Sequence, residues 1–188
     1  LFGRISVYLQ QHPAVFRKTP RFLDRLWDSP RVIGAFAGRG ISTDARLLGE
    51  LTISMLQGPA GVLRKEFDKL VEWARSEPLP DVINLPNSLV IALAAPLRAA
   101  LGRPVCCTLQ GEELFLDGLA GAYRERALAL IREQVPHVDG SIAVSEYCAE
   151  FMTSFLRIPP SRIAVVPLGI NMSGYAKRPR EAVEASGQ

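Results

Sequence analysis

The sequence predicts an α/β fold, a parallel sheet with helices on both faces. Three observations carry it. Short apolar runs, "DVINL", "PVCCTL", "SIAV" and "RIAVV", recur between segments of helical periodicity. The runs are apolar throughout, as in strands covered on both sides, where half-exposed strands would alternate. A length of 188 residues, 48% apolar and 22% charged, suits a domain with a full core of its own.

Near the N-terminus, Ser6 to Gln11, Arg21 to Trp27 and Arg31 to Ala37 read as short helices. His12-Pro13, Thr19-Pro20 and Ser29-Pro30 separate them, so this stretch is a proline-punctuated helical insert. Leu51 to Leu56, "LTISML", alternates as a strand does, although Leu47, Leu48, Leu51 and Met55 also fit a helix. The strand is the preferred reading, with Gln57-Gly58-Pro59 as its turn. Gly61 to Arg75 reads as an amphipathic helix, with Leu63, Phe67, Leu70, Val71 and Ala74 on one face. Pro78 and Pro80 end it.

Asp81 to Leu85 is a short strand, and Pro86-Asn87-Ser88 breaks it and caps an apolar helix running to about Leu101. Gly102 suits the C-cap of that helix. The buried strand "PVCCTL" follows. Asp117 caps a helix to about Gln134, with Leu119, Tyr123, Ala127 and Leu130 inward. Asp139 leads into "GSIAVS", and Ser145 caps a helix whose Cys148, Met152 and Phe155 share a face. Pro159-Pro160 stops it, and "RIAVVPLGI" is the last strand. The predicted architecture is a Rossmann-like domain over residues 1–175, with 176–188 as a linker or tail low in apolar residues.

The composition narrows the function classes. A net charge of +3 permits an anionic partner but argues for no nucleic acid. Cys106, Cys107 and Cys148 have no zinc spacing and read as reduced, buried thiols of a cytoplasmic protein. With only His12 and His137 present, a histidine-based metal site is not expected, and His137, after Pro136, reads as a surface group. No apolar run is long enough to span a bilayer: Ser88 to Leu101 is interrupted by Pro96 and Arg98. No G-x-G-x-x-G follows a strand, against a dinucleotide-binding dehydrogenase.

In a parallel sheet the carboxyl ends of the strands open into loops feeding helix N-termini, where ligands bind. Four loops are expected along that edge: Leu85-Pro86-Asn87, Gln110-Gly111-Glu112-Glu113, Ser145-Glu146 and Leu168-Gly169-Ile170-Asn171. Polar and acidic groups at the end of a core strand therefore fit ligand contact, and Gly111 lets the backbone come close. Asn87, Ser88 and Ser145 have a plainer role as helix caps. No nucleophile elbow surrounds Ser145.

The succession "DVINL", "RPVCCTLQGEEL", "VDGSIAVSEYCAEFM" and "IPPSRIAVVPLGIN" resembles the N-terminal domain of the family 4 glycosyltransferases of the GT-B fold. The family pattern has a strand ending in Thr-x-His-Gly-x-[Asp/Glu]. An aspartate-strand-Val-Ser segment follows, and then arginine-strand-proline-Asn-Gly-[Ile/Val]-[Asp/Asn]. Asp139, Val144-Ser145, Arg162-Ile163, Val166-Pro167 and Gly169-Ile170-Asn171 match it. The opening "LFGRISVYLQQ" resembles the family's first glycine-rich loop, with Gly3 at the first glycine and Arg4 replacing the second. The strand before that loop would then be missing from this chain.

The resemblance implies the acceptor-binding half of a glycosyltransferase. It would move a sugar from a nucleotide-sugar donor to a saccharide or lipid-linked acceptor with retention of configuration. Gln110, Glu112 and Glu113 are the catalytic candidates; Gly3, Arg4, Asn87, Gly111, Ser145, Gly169 and Asn171 would face donor or acceptor. Gln110 replaces the family histidine and cannot take a proton at neutral pH, so a general-base role would pass to Glu112 or Glu113 or be unnecessary. No cofactor is expected on this fragment; the nucleotide-sugar is a co-substrate, and the partner is a C-terminal GT-B domain of the same protein. That domain holds the donor site, and the fragment alone is expected to be inactive. The insert from His12 to Gly40 has two open readings, an acceptor-side lid and a simple packing insert. Location is expected to be cytoplasmic, with peripheral contact at the inner face of a membrane also open. The alternatives are a GT-B sugar-nucleotide epimerase and a non-catalytic binding domain that kept the fold.

Overall fold

A computed structural model describes residues 45–171. The helical insert, Gly3, Arg4 and the tail lie outside the described residues. Helix α1 is Ala45–Leu56 and α2 is Arg64–Ser76, with a 3-10 turn, Gly58–Ala60, between them. Strand β1, Ile83–Leu85, leads through a 3-10 helix, Ser88–Leu93, into α3, Ala94–Leu101. Then come β2, Val105–Leu109, α4, Glu112–Asp117, α5, Gly121–Gln134, and β3, Gly140–Ala143. Helix α6, Glu146–Leu156, and β4, Ile163–Val165, complete the series.

The four strands form one sheet in the order β1-β2-β3-β4, all parallel. Leu85 stands beside Cys107, Leu109 beside Ala143, and Ala143 beside Val165. The α/β class and the parallel pairing are as the apolar runs predict. No strand-order reversal occurs among the described strands, so the loops gather along a continuous edge rather than at a switch point.

The core lies against one face. Along β2, buried Val105, Cys107 and Leu109 alternate with half-buried Cys106 and Thr108. On the second face Asn84 and Thr108 hydrogen-bond to each other through their side chains, at 3.0 and 3.1 Å, and Ala164 is exposed. Right-handed crossovers between strands in consecutive order place their helices on the same face. Cover for the second face is therefore not supplied by the described residues. Leu56, Leu109, Leu116, Ile131, Met152 and Leu156 form the centre of the core.

Three local readings are corrected. Leu51 to Leu56 is helical, as part of α1. The hydroxyls that make "LTISML" alternate are satisfied inside the helix: Thr52 Oγ1 donates to the Leu48 carbonyl and Ser54 Oγ to that of Glu50, both at 2.8 Å. Polar residues thus sit on a helix whose Ile53 and Leu56 are buried. Second, Asp117 ends α4 instead of capping α5; Ala120 stands at the N-cap and Asp117 pairs with Arg124 at 2.7 Å. Third, the helix expected from Ser88 to Leu101 is divided. Pro96 lacks an N–H and falls in the first turn of α3, where no donor is needed, so the α-helix restarts there after a 3-10 segment.

The expected caps hold elsewhere. Asn87 Oδ1 accepts the Leu89 N–H and Ser145 Oγ that of Cys148, both at 3.1 Å. Gly102 takes a left-handed conformation after α3 and donates its N–H to the Arg98 carbonyl at 2.8 Å.

Candidate functional site

Because all four strands run the same way, the loops after β1, β2, β3 and β4 leave from one edge of the sheet. The first two loops are joined directly. The Glu112 carboxylate, only 6% exposed, accepts the Ser88 N–H on one oxygen and the Gln110 N–H on the other, each at 2.7 Å. Gln110 Nε2 donates back to the Pro86 carbonyl, also at 2.7 Å. Gly111 between them has φ +89°, a left-handed value that lets the chain turn from β2 into α4.

Gln110 is exposed and Asn87 half-buried. Glu113 is half-buried, and its Oε2 has no hydrogen-bond partner although it is shielded from solvent. Gly169 and Asn171 lie exposed on the segment after β4. Ser145 is committed to capping α6. Gly3 and Arg4 fall outside the described residues. The structure thus brings Asn87, Gln110, Gly111, Glu112 and Glu113 together at the β1–β2 part of the rim, and puts Ser145, Gly169 and Asn171 on its β3–β4 part. His137 is exposed, before β3 at the opposite end of the sheet, where its carbonyl accepts from Arg98 at 2.9 Å.

The rim is acidic. The loop residues 85–88, 110–113, 144–146 and 166–171 contain Glu112, Glu113 and Glu146 and neither lysine nor arginine. The carboxylates reach inward as well. Burial, reinforced by Glu112 and Cys106, pushes the Cys107 thiol up to about 12. Burial also raises Cys148, with further contributions from Glu112 and Glu113 against an opposing backbone hydrogen bond. The Cys148 thiol sits 3.8 Å from the Leu109 carbonyl, tying α6 to the end of β2. Among the described residues no group of His, Cys, Asp or Glu could hold a metal ion, and no helix is long and apolar enough to cross a membrane.

The sequence points to Gln110 and Glu112 but not to the backbone groups they hold across the strands, the Pro86 carbonyl and the Ser88 N–H. Neither run signals this by itself: the register sets Leu85 beside Cys107, so the residues after Leu85 run alongside the end of β2 and meet the loop that follows it. Two surface hollows lie apart from the rim loops. One, of about 490 Å³, runs along α6 beside Tyr147, Phe151 and Phe155, whose rings stack in succession at 6.3 and 5.2 Å. The other, of about 200 Å³, opens between α1, α2 and the 3-10 helix.

No curated protein matches the chain. Residues 47–173 match the family model described as Glycosyltransferase Family 4, and that span includes the four strands and the whole described rim. With two-thirds of its length matched in this way, the chain belongs to glycosyltransferase family 4.

Proposed function

We propose that this glycosyltransferase-type domain is the acceptor-binding half of an enzyme that moves a sugar from a nucleotide-sugar to a saccharide or lipid-linked acceptor, with retention of configuration. The observation that carries the reading is the acidic rim, which among the described loop residues has three glutamates and no lysine or arginine. A diphosphate brought beside Glu112 and Glu113 would meet like charge, which costs most where water is partly excluded. Sugar hydroxyls suit the same place, because each can donate to a carboxylate or to the Gln110 side-chain carbonyl.

In this reading Gln110 and Asn87 orient an acceptor hydroxyl. Glu113, with an unpartnered oxygen, accepts the proton where one must be taken. Gly169 and Asn171 face donor or acceptor, and the partner domain supplies most donor contacts. Isothermal titration of this chain is the test. UDP-glucose and GDP-mannose are expected to bind weakly, and tight binding of either would overturn the division of labour.

One observation favours a second reading, a non-catalytic binding domain: Gln110 stands where the family pattern carries histidine. Assay of the full-length protein against a panel of donors and acceptors separates the two.

A further inference from the structure

Pro86 to Ser88 and Gln110 to Glu112 are cross-tied by two hydrogen bonds, and a third of equal length closes the second segment on itself. The Gln110 side chain donates to the Pro86 backbone, the Ser88 backbone donates to the Glu112 side chain, and the Gln110 backbone donates to the same carboxylate, all at 2.7 Å. The two segments are 24 residues apart in sequence and leave neighbouring strands. Among the described residues no cation pairs with Glu112: its charge is met by the two N–H groups and by its place in the first turn of α4. Both its oxygens are occupied by backbone donors and it is buried, so it is shielded from a bound ligand.

We infer that Glu112 is a positioning residue, a brace that makes the Asn87 loop and the Gln110 loop a single ligand-reading unit. The inference rests on the reading of this rim as a hydroxyl-binding surface. One N–H of the Gln110 amide is held by Pro86, which orients the amide plane. Its carbonyl oxygen and second N–H then face a ligand as a set acceptor and donor. Such a pair recognises a hydroxyl group, which both donates and accepts. Removing the brace disorders both halves together.

Amide hydrogen exchange of this chain in D2O, read residue by residue, tests it with the variants Glu112→Gln, Glu112→Asp, Gln110→Ala and Glu112→Gln/Gln110→Ala. Glu112→Gln keeps size and loses an acceptor; Glu112→Asp keeps the charge and loses reach. Both are expected to speed exchange at Ser88 and Gln110 at least tenfold, with β3 amides unchanged. Gln110→Ala should also speed Ser88, whose N–H is not bonded to Gln110, and the double variant should add little to Glu112→Gln. Unchanged Ser88 exchange in Gln110→Ala, or multiplying effects in the double variant, would overturn the brace. So would acceleration spread equally through β3, which marks a group acting on global stability alone. In a transfer assay of the full-length protein Glu112→Gln should lower kcat and leave the donor KM within twofold. Coupled exchange in this chain with no sugar transfer by the full-length protein would keep the brace and remove the glycosyltransfer reading; uncoupled exchange removes the brace whatever the activity.

Discussion

The Asp139 carboxylate accepts the backbone N–H of Val105 at 2.8 Å, joining the start of β3 to the start of β2 at the end of the sheet opposite the rim. The same carboxylate pairs with Arg98, which also donates to the His137 carbonyl. Of the residues matching the family pattern, Asp139 thus belongs to the foundation of the sheet and not to its ligand edge.

Replacing Asp139 by alanine strips the fully buried Val105 of its N–H acceptor. The expected loss is about 1–3 kcal/mol, measured by urea unfolding. The Val105 hydrogen bond, aided by Arg98 and Arg162 against a desolvation cost, holds the Asp139 carboxyl below its usual range. A lowered carboxyl stabilises the fold above the unfolded-state value near 3.8 and loses that contribution as pH falls through the folded one. Asp139→Asn should therefore flatten the acid limb of the stability profile; an unaltered limb would refute the role.

Gly49 packs against Tyr123 across the α1–α5 contact, and an added Cβ would lie 2.5 Å from the ring. Gly49→Ala should cost roughly 1–3 kcal/mol by overpacking. Tyr123→Leu in the same chain should recover part of it, a coupling that thermal unfolding of the four species can read.

Gly111 presents the opposite case. Its added Cβ would come no closer than 3.7 Å to the Glu113 carboxylate, so space is available, but φ is +89°. Gly111→Ala is expected to cost about 1–2 kcal/mol from backbone strain alone, with Gly111→Asn costing less. Equal losses for the two would point to crowding instead.

The Cys107 thiol, held near 12, stays protonated at pH 8.5, and iodoacetamide should leave it unlabelled in the native chain yet label it fully in guanidinium. The unfolded state gives up this proton near 9.0, so stability falls as pH climbs from there toward 12. Cys107→Val should flatten that alkaline decline.

Glu113→Gln should lower sugar transfer by the full-length protein by about 100-fold, the scale of a lost general base. Unchanged activity in both Glu113→Gln and Glu112→Gln would remove the rim assignment.

Legibility in the sequence follows interaction range. The end of β2 at Leu109, the Asn87 and Ser145 caps and the Gly102 C-cap were readable because each depends on neighbours within a few positions. "LTISML" was misread because two hydroxyls that look like the polar side of a strand are satisfied by carbonyls one helical turn back. Asp117 was misread because its partner, Arg124, lies beyond the break between α4 and α5.

What the sequence determined by itself is the alternation of apolar runs and amphipathic helices, and hence a parallel sheet whose polar strand-end residues share an edge. It also put polar and acidic residues, Gln110, Glu112 and Glu113, directly after a core strand and so on that edge. Only the tertiary structure decided how the two glutamates after β2 divide. Glu112 turns inward to the N–H groups of Ser88 and Gln110, while an oxygen of Glu113 is left without a partner. The reason is register: Leu85 beside Cys107 brings Ser88 within reach of one carboxylate only, and no local pattern encodes a contact between residues 24 apart.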